Sequence, residues 1–391
     1  MKKTTTKQLL TLLIIALTMI TQISCSKDNP EPPTQVQSEL RKITIEASNS
    51  ERLDIIGSET TILTANGFNL YNKPIDIMGS VEWSVDNNNV SIDQNGLVTA
   101  LKAGKSIVTA TSNDISASYT VTVWDSSAPR TEIFISDAGN FNQPPWQILR
   151  TDDKGEYVEV FTKENLDWPQ DIIVLEDQGI AIVSNLNSGK ITKYDLKSGE
   201  YVGDFASGIG GPTRMKIGND DLIYVLQWNA GLVLRYQQDG TFVDTFTDVP
   251  VARSIGIAWD TDNNLYVSSF MNAEVRKFDT SGTDLGLFIN TDLQGPTNIW
   301  FEGNELYVND YSQGIVKKFD SNGAYLGNFI TGLNRPEGID HLMNGNILIG
   351  NGGTKTIKEY KSDGTFIKDL IPGGTQNLLL PNAVIVREVN R

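Results

Sequence analysis

One period runs through residues 131–391 of this 391-residue chain. A glycine in a polar turn recurs at Gly155, Gly199, Gly240, Gly282, Gly323 and Gly364, at steps of 44, 41, 42, 41 and 41 residues. Six positions after each comes an apolar residue: Phe161, Phe205, Phe246, Phe288, Phe329 and Leu370. A ring residue precedes five of the glycines, at Tyr194, Tyr236, Phe278, Phe319 and Tyr360. Within a unit the pattern is four short strands, such as Asn298–Phe301, Glu305–Val308, Ile315–Asp320 and Tyr325–Phe329. Such a unit cannot bury its own apolar face, so neighbours must stack on one another, and four strands per repeat make one blade of a radial array.

The count is six. The first unit begins directly with the second-strand sequence Ile133-Phe134-Ile135-Ser136 and lacks an innermost strand. The last segment, Ala383–Val389, is an innermost strand with nothing after it. The C-terminus is therefore expected to complete the first blade and close the ring, leaving only short edges. The run Leu306-Tyr307-Val308-Asn309-Asp310, then Ile315-Val316-Lys317-Lys318-Phe319-Asp320 and a turn at Gly323, resembles NHL-repeat propellers. That resemblance implies a propeller of the kind that commonly serves as an interaction platform.

Residues 41–123 follow a different rule. Short stretches alternate apolar and polar residues at Lys42–Ile45, Thr60–Leu63, Val81–Val85, Leu97–Ala100, Ser106–Ala110 and Tyr119–Val123. Alternation of period two with β-branched residues and turns such as Asn95-Gly96 predicts an all-β sandwich. The stretch Val81-Glu82-Trp83-Ser84 and the run from Val90 to Gly104 resemble the bacterial Ig-like group 2 domain. Trp83 is expected in the sandwich core, and the resemblance implies a spacer or adhesion module. Residues 124–130 are read as a linker. The fold class is thus all-β: an Ig-like β-sandwich followed by a six-bladed β-propeller closed by the C-terminal strand.

The N-terminus reads as a targeting segment. Lys2 and Lys3 precede an apolar run from Leu9 to Ile20, too short to span a bilayer, which needs ~20 apolar residues. The run ends at Gln22-Ile23-Ser24-Cys25, which resembles a bacterial lipoprotein cleavage box except that Gln22 stands where Leu is usual. Cys25 is the one cysteine of the chain, so no internal disulfide competes for it. Residues 1–24 are read as a signal peptide and 25–40 as a tether, since Ser26-Lys27-Asp28-Asn29-Pro30-Glu31-Pro32-Pro33 gives an extended soluble segment. This polar, acidic start resembles that of Bacteroidetes lipoproteins. It implies export, a lipid anchor in the outer membrane and display at the cell surface.

Charge narrows the partners. A formal net charge of −16, with no Lys/Arg-rich run, argues against nucleic acid. In a propeller the innermost strands line a central channel, so polar residues that differ between blades at its mouth are the site candidates. One ring is read at the entry to those strands: Gln170-Asp171, Thr213-Arg214, Arg253-Ser254, Thr297-Asn298, Glu337-Gly338 and Asn382-Ala383. A second follows the second strands: Asp137, Asn185, Gln227, Ser269, Asp310 and Asn351, with Trp228, Phe270 and Tyr311 beside it. Trp146 and Trp168 lie in nearby loops. Turn-fixing is the competing role for the second ring. Polar groups at a concave mouth with aromatic faces nearby suit a sugar or another small molecule.

Catalysis is the weaker reading. Glu337, Asn298 and Asp171 resemble parts of the divalent-metal set of the gluconolactonase group, and oxygen ligands would suit Ca²⁺ or Mg²⁺. They do not stand in that family's sequence context, and Arg214 and Arg253 would oppose a cation at the same mouth. His341 is the one histidine, so a multi-histidine zinc site or a two-histidine lyase site is excluded, and as a lone residue on an innermost strand it is read as packed or surface-exposed. Trp259 and Trp300, on innermost strands, are read as packing between blades. The favoured function is non-catalytic extracellular binding of a glycan, neutral or acidic, or of a cell-surface protein. Asp171, Arg214, Arg253, Asn298, Glu337, Asn185, Gln227, Trp228, Asp310, Tyr311 and Asn351 form the expected mouth, with Arg214 and Arg253 meeting any acid group. No cofactor is expected. The alternative is a metal-dependent, lactonase-like hydrolase or a polysaccharide lyase.

Overall fold

A computed structural model describes residues 39–48, 52–125, 130–141 and 143–389. The signal segment 1–24, Cys25 and most of the tether lie outside the described residues. No helix among the described residues is long and apolar enough to cross a membrane.

The N-terminal unit is a sandwich of two sheets. One sheet holds Lys42–Ala47, Thr60–Phe68, Pro74–Ile75, Leu97–Ala100 and Val90–Ile92; the other holds Arg52–Asp54, Ile115–Trp124, Gly104–Ser112 and Glu82–Val85. Alternation places Leu53, Leu63, Val98, Val108 and Val121 between the sheets, with Trp83 packed half-buried against them. The long hairpin turns at Asn113 and Asp114, both in left-handed backbone, with Ser112 opposite Ile115. A two-residue turn with positive φ at both positions matches the twist of the strands it joins.

Six four-stranded antiparallel sheets follow. Blade 1 takes its innermost strand, Pro381–Val389, from the C-terminus, which pairs with Arg130–Asp137 in the register Phe134 opposite Ile385. Blades 2 to 6 begin with the innermost strands Pro169–Leu175, Pro212–Ile217, Ser254–Trp259, Pro296–Glu302 and Pro336–His341 and run outward in chain order. Apolar residues from adjoining blades form the core, as where Ile182 and Ile191 of blade 2 meet Met215 and Val225 of blade 3. Trp300 is buried and stacks on Tyr307 at 5.2 Å, and Trp259 lies edge-on to Tyr224 at 5.1 Å, so both tryptophans pack as expected.

The repeat has a steric origin. Gly199 has φ +77°, and a Cβ there would stand 1.9 Å from the carbonyl oxygen of Phe161 in the preceding blade. The same contact closes the ring, since a Cβ on Gly155 of blade 1 would stand 2.2 Å from the Leu370 oxygen of blade 6. The recurring glycine and the recurring apolar residue are thus the two sides of one interblade contact.

The sandwich meets the propeller at the face where the innermost strands end. Glu132 accepts hydrogen bonds from Arg52 at 2.7 Å, Arg130 at 3.0 Å and Arg387 at 3.1 Å, while Lys197 pairs with Glu59. Arg52 and Arg130 also flank the Trp124 ring at 4.0 and 5.0 Å. Burial alone would raise the Glu132 carboxyl. The charges of Arg52, Arg150, Arg387 and Arg130 outweigh it and hold the group at about 2.

Substitution of Gly282 tests the interblade contact. Its φ is +83°, and a Cβ would lie 1.9 Å from the Phe246 oxygen, whereas Gly179, at φ +63°, has open space around it. Gly282→Ala should cost ~2–3 kcal/mol in urea unfolding and Gly179→Ala only ~1 kcal/mol, the cost of the backbone conformation alone. Equal losses would mean the contact is not a constraint.

Candidate functional site

The register of the innermost strands defines the mouth. Pro169 pairs with Asn185, Pro212 with Gln227, Ser254 with Ser269, Pro296 with Asp310, Pro336 with Asn351 and Pro381 with Asp137. These six residues are equivalent. The ring immediately inside them is Gln170, Thr213, Ile255, Thr297, Glu337 and Asn382. Arg253 is therefore not a member, contrary to expectation. It sits two positions earlier, on the rim, equivalent to Trp168, Gly211, Gly295, Arg335 and Leu380. Blade 4 has serine where the other five blades have proline, so the sequence offers no marker of register there.

The second ring proves structural at most positions. Asp310 accepts backbone N–H groups of Gln294 at 2.9 Å and Gly295 at 3.2 Å. Asn351 accepts from Asn334 at 2.7 Å and Asn185 from Asp167 at 2.8 Å. Asp137 accepts from Leu380 at 2.8 Å, and the Ser269 hydroxyl donates to the Ala252 oxygen at 2.5 Å. Each holds the loop leading to an innermost strand, so Asn185, Asp310 and Asn351 are corrected from ligand contacts to turn anchors. Gln227 is half-buried, and its carbonyl accepts from the Ser254 hydroxyl at 3.4 Å.

Arg214 crosses the channel as a plug. Its Nε donates to Asn298 Oδ1 at 2.9 Å, and one terminal nitrogen donates to the Gln170 carbonyl. The other donates to Glu337 Oε1 at 3.0 Å and to the Asn382 carbonyl at 2.6 Å. Both Arg214 and Glu337 are buried. Asn298 donates to the Glu337 carbonyl at 2.5 Å. With its amide nitrogen turned to Glu337, Asn382 reaches the two carboxylate oxygens at 2.5 and 2.7 Å. Blades 1, 2, 3, 5 and 6 are thereby tied across the axis. The guanidinium is committed to the protein, which corrects the expectation that it meets an acidic ligand.

The residues of the alternative, metal-dependent reading are engaged in the same way. Arg214 occupies Glu337 and Asn298, while Asp171 accepts the backbone N–H groups of Ile172 and Met215 at 2.9 and 2.8 Å. No group of three or more His, Cys, Asp or Glu side chains placed to hold a metal ion occurs among the described residues.

The plug divides the channel into two cavities. On the mouth side is a pocket of about 220 Å³, floored by Gln170, Thr297, Glu337 and Asn382 and walled by Phe141, Trp168, Trp228, Phe270 and Tyr311. Trp228, Phe270 and Tyr311 occupy the same position in blades 3, 4 and 5 and form an arc, with ring centroids 6.4 and 5.9 Å apart. Phe141 meets Trp168 edge-on at 6.3 Å. Phe141, Leu186, Ile255 and Leu380 were missed as lining residues. The loop residue Phe141 carries no period, whereas Leu186, at the arc position of blade 2, and Leu380, at the rim position of blade 1, could have been found from it. On the opposite side a bore of about 400 Å³ contains Asp171, Lys216, Asp340 and His341. His341 lies there edge-on to Trp300 at 6.0 Å, far from the aromatic mouth.

Known proteins resemble parts of this chain. Residues 67–123 match the model of the bacterial Ig-like domain (group 2). No curated protein matches. Among solved structures, one from a nidogen/laminin complex shares 15% identity over 66% of this chain and 98% of its own, with a TM-score of 0.55. A protein of unknown function from Bacteroides caccae shares 13% identity over the same 66% and 98%, with a TM-score of 0.52. Identities this low show the propeller fold alone.

Two buried carboxylates should oppose each other in pH dependence. Burial pushes Glu337 up to about 7, against the pull of Arg214. The folded chain then keeps a proton that the unfolded chain has lost. The contribution of Glu337 to stability falls as pH rises from its ordinary 4.5 to about 7, and is level above that. Glu132, held at about 2, contributes stability that is present above 4.5 and is lost as pH falls through about 2. Urea unfolding from about pH 5 to about pH 8 should show a shallower decline in Glu337→Gln than in the parent. An unchanged slope would place the titration elsewhere.

Proposed function

We propose that the propeller mouth binds the end group of a carbohydrate without turning it over, on a chain exported and lipid-anchored through Cys25. The aromatic arc above a polar floor carries this reading. Trp228, Phe270 and Tyr311 offer flat apolar faces, and Gln170, Thr297 and Asn382 lie at the bottom of the same pocket. A sugar ring has the complementary build: C–H groups on its faces and hydroxyls around its edge. The volume of about 220 Å³ is below the ~300 Å³ at which drug-sized sites begin, which suits one terminal ring better than the middle of a polymer.

Binding without chemistry is supported by the state of the floor. The one carboxylate lining the pocket, Glu337, is engaged by Arg214 and Asn382, and no imidazole lines the pocket with it. A general acid or base needs a free path to the group it protonates. The anchor is supported by the sequence alone, through the apolar run, Cys25 and the polar tether.

The full chain, kept in detergent, should bind members of an oligosaccharide panel saturably, with EDTA making no difference and the sugar left intact. Trp228→Ala should weaken that binding by about tenfold, the loss expected for one stacked aromatic face. Sugar breakdown abolished by EDTA would replace this reading with a metal-dependent enzyme. Retention of every affinity by Trp228→Ala would move the site away from the mouth. In cells, Cys25→Ser should abolish incorporation of labelled fatty acid and release the chain from the membrane fraction.

A further inference from the structure

The rim of the mouth carries two cations that the protein leaves uncompensated. The chain has 48 acidic residues against 32 basic ones, so a carboxylate partner is easily found. Among the described residues Arg41, Arg52, Arg130, Arg150, Arg214, Arg235, Arg276 and Arg387 each form an ion pair with one. Arg253 and Arg335 do not. Arg253 lies over the Trp228 ring at 5.1 Å and makes one hydrogen bond, to Asn229 Oδ1 at 3.3 Å. Arg335 is exposed, and its charge acts on the hydroxyl of Tyr311 in the adjoining blade.

Their placement is not scattered. Both stand at the residue just before an innermost strand, in blades 4 and 6, and both have left-handed backbone, with φ 53° and 55°. The equivalent Trp168 and Gly211 share that conformation, at φ 58° and 71°, so it belongs to the turn that sets the rim position. In blade 5, between them, the equivalent residue is Gly295, and the side chains of Ser312 and Phe270 occupy the space beside it. Arg253, over the Trp228 ring, thus stands on the rim at one end of the aromatic arc, and Arg335, whose charge acts on Tyr311, stands on the rim at the other.

We propose that the end group taken by the mouth is an acidic sugar, whose carboxylate or sulfate is met by Arg253 and Arg335 while its ring lies on the aromatic arc. This rests on the carbohydrate reading above and specifies its ligand class. A guanidinium fork matches the paired oxygens of either anion. The chain as a whole repels anions, but charges beyond ~8 Å are screened at physiological salt, so the local pair governs the last step of binding. The plug arginine takes no part, being committed to Glu337.

The test is a panel in which each acidic oligosaccharide is paired with a neutral counterpart: uronic-acid oligomers with their methyl esters, sulfated galactans with the desulfated chains. The full chain, in detergent, is compared with Arg253→Gln and Arg335→Gln, each checked for an unchanged circular dichroism spectrum and melting point. At least one acidic member should bind about tenfold or more tighter than its neutral partner, and each substitution should remove most of that preference. A preference for uronic over sulfated members, or the reverse, identifies the anion. Equal binding of acidic and neutral members would overturn the acidic-sugar assignment while leaving the carbohydrate reading in place. No binding by any member would overturn both, and an acid preference that survives both substitutions would overturn the role of these arginines.

Discussion

Everything in the propeller depends on how one blade is completed. Pro381–Val389 supplies the innermost strand of blade 1, so the last residues of the chain lie beside the first strand of the propeller. Without that strand the ring would end in two open edges, at Arg130–Asp137 and on the face of blade 6. The closing strand also carries Asn382, which reaches the carboxylate of Glu337 in the floor of the mouth. Closure and site formation are therefore one event, and the pocket cannot exist in a chain whose ring has not shut.

The plug shows how a channel becomes a cup. An open bore through a propeller offers a ligand no floor. Arg214 reaches across the axis and gathers oxygen atoms from Asn298, Gln170, Glu337 and Asn382. A lone guanidinium in such a place would carry a large desolvation penalty, and so would a lone carboxylate. Together, with four hydrogen bonds from the guanidinium, they form a polar partition that apolar residues of similar bulk could also have filled. The difference is that this partition presents Gln170, Glu337 and Asn382 to the aromatic side.

Legibility in the sequence followed periodicity. The blades, their number and the closing strand could be read because glycine and aromatic positions repeat. The repeated polar residues after the second strands could be located equally well, but repetition is the mark of a part every blade needs, and Asp310, Asn351 and Asn185 hold turns. Trp228 and Tyr311 were recognisable because they break the repeat in kind while keeping it in place. Phe141 was not, since its loop follows no period, whereas Leu380, before Pro381, kept the rim position. Arg335 stood in plain view before Pro336, and the equivalence with Trp168-Pro169 was its signal. Arg253 was placed one ring too deep because blade 4 lacks that proline. The plug was illegible, since nothing in a linear sequence tells that an arginine of blade 3 reaches a carboxylate of blade 6.

The sandwich joins the propeller at the end of the closing strand opposite the mouth, through Glu132 and its arginines. Were the chain held by its N-terminus, as proposed, this geometry would have a mechanical consequence. A pull on a molecule seated in the mouth would travel down through blade 1 to Arg130, along the axis of its two central strands. These strands are antiparallel and share eight residue pairs, from Arg130 with Val389 to Asp137 with Pro381. Loaded along their length, such strands bear tension across all the pairs at once, as a lap joint does, and not one pair at a time, as a zip does. The strand that shuts the ring is also oriented to keep it shut under such a pull.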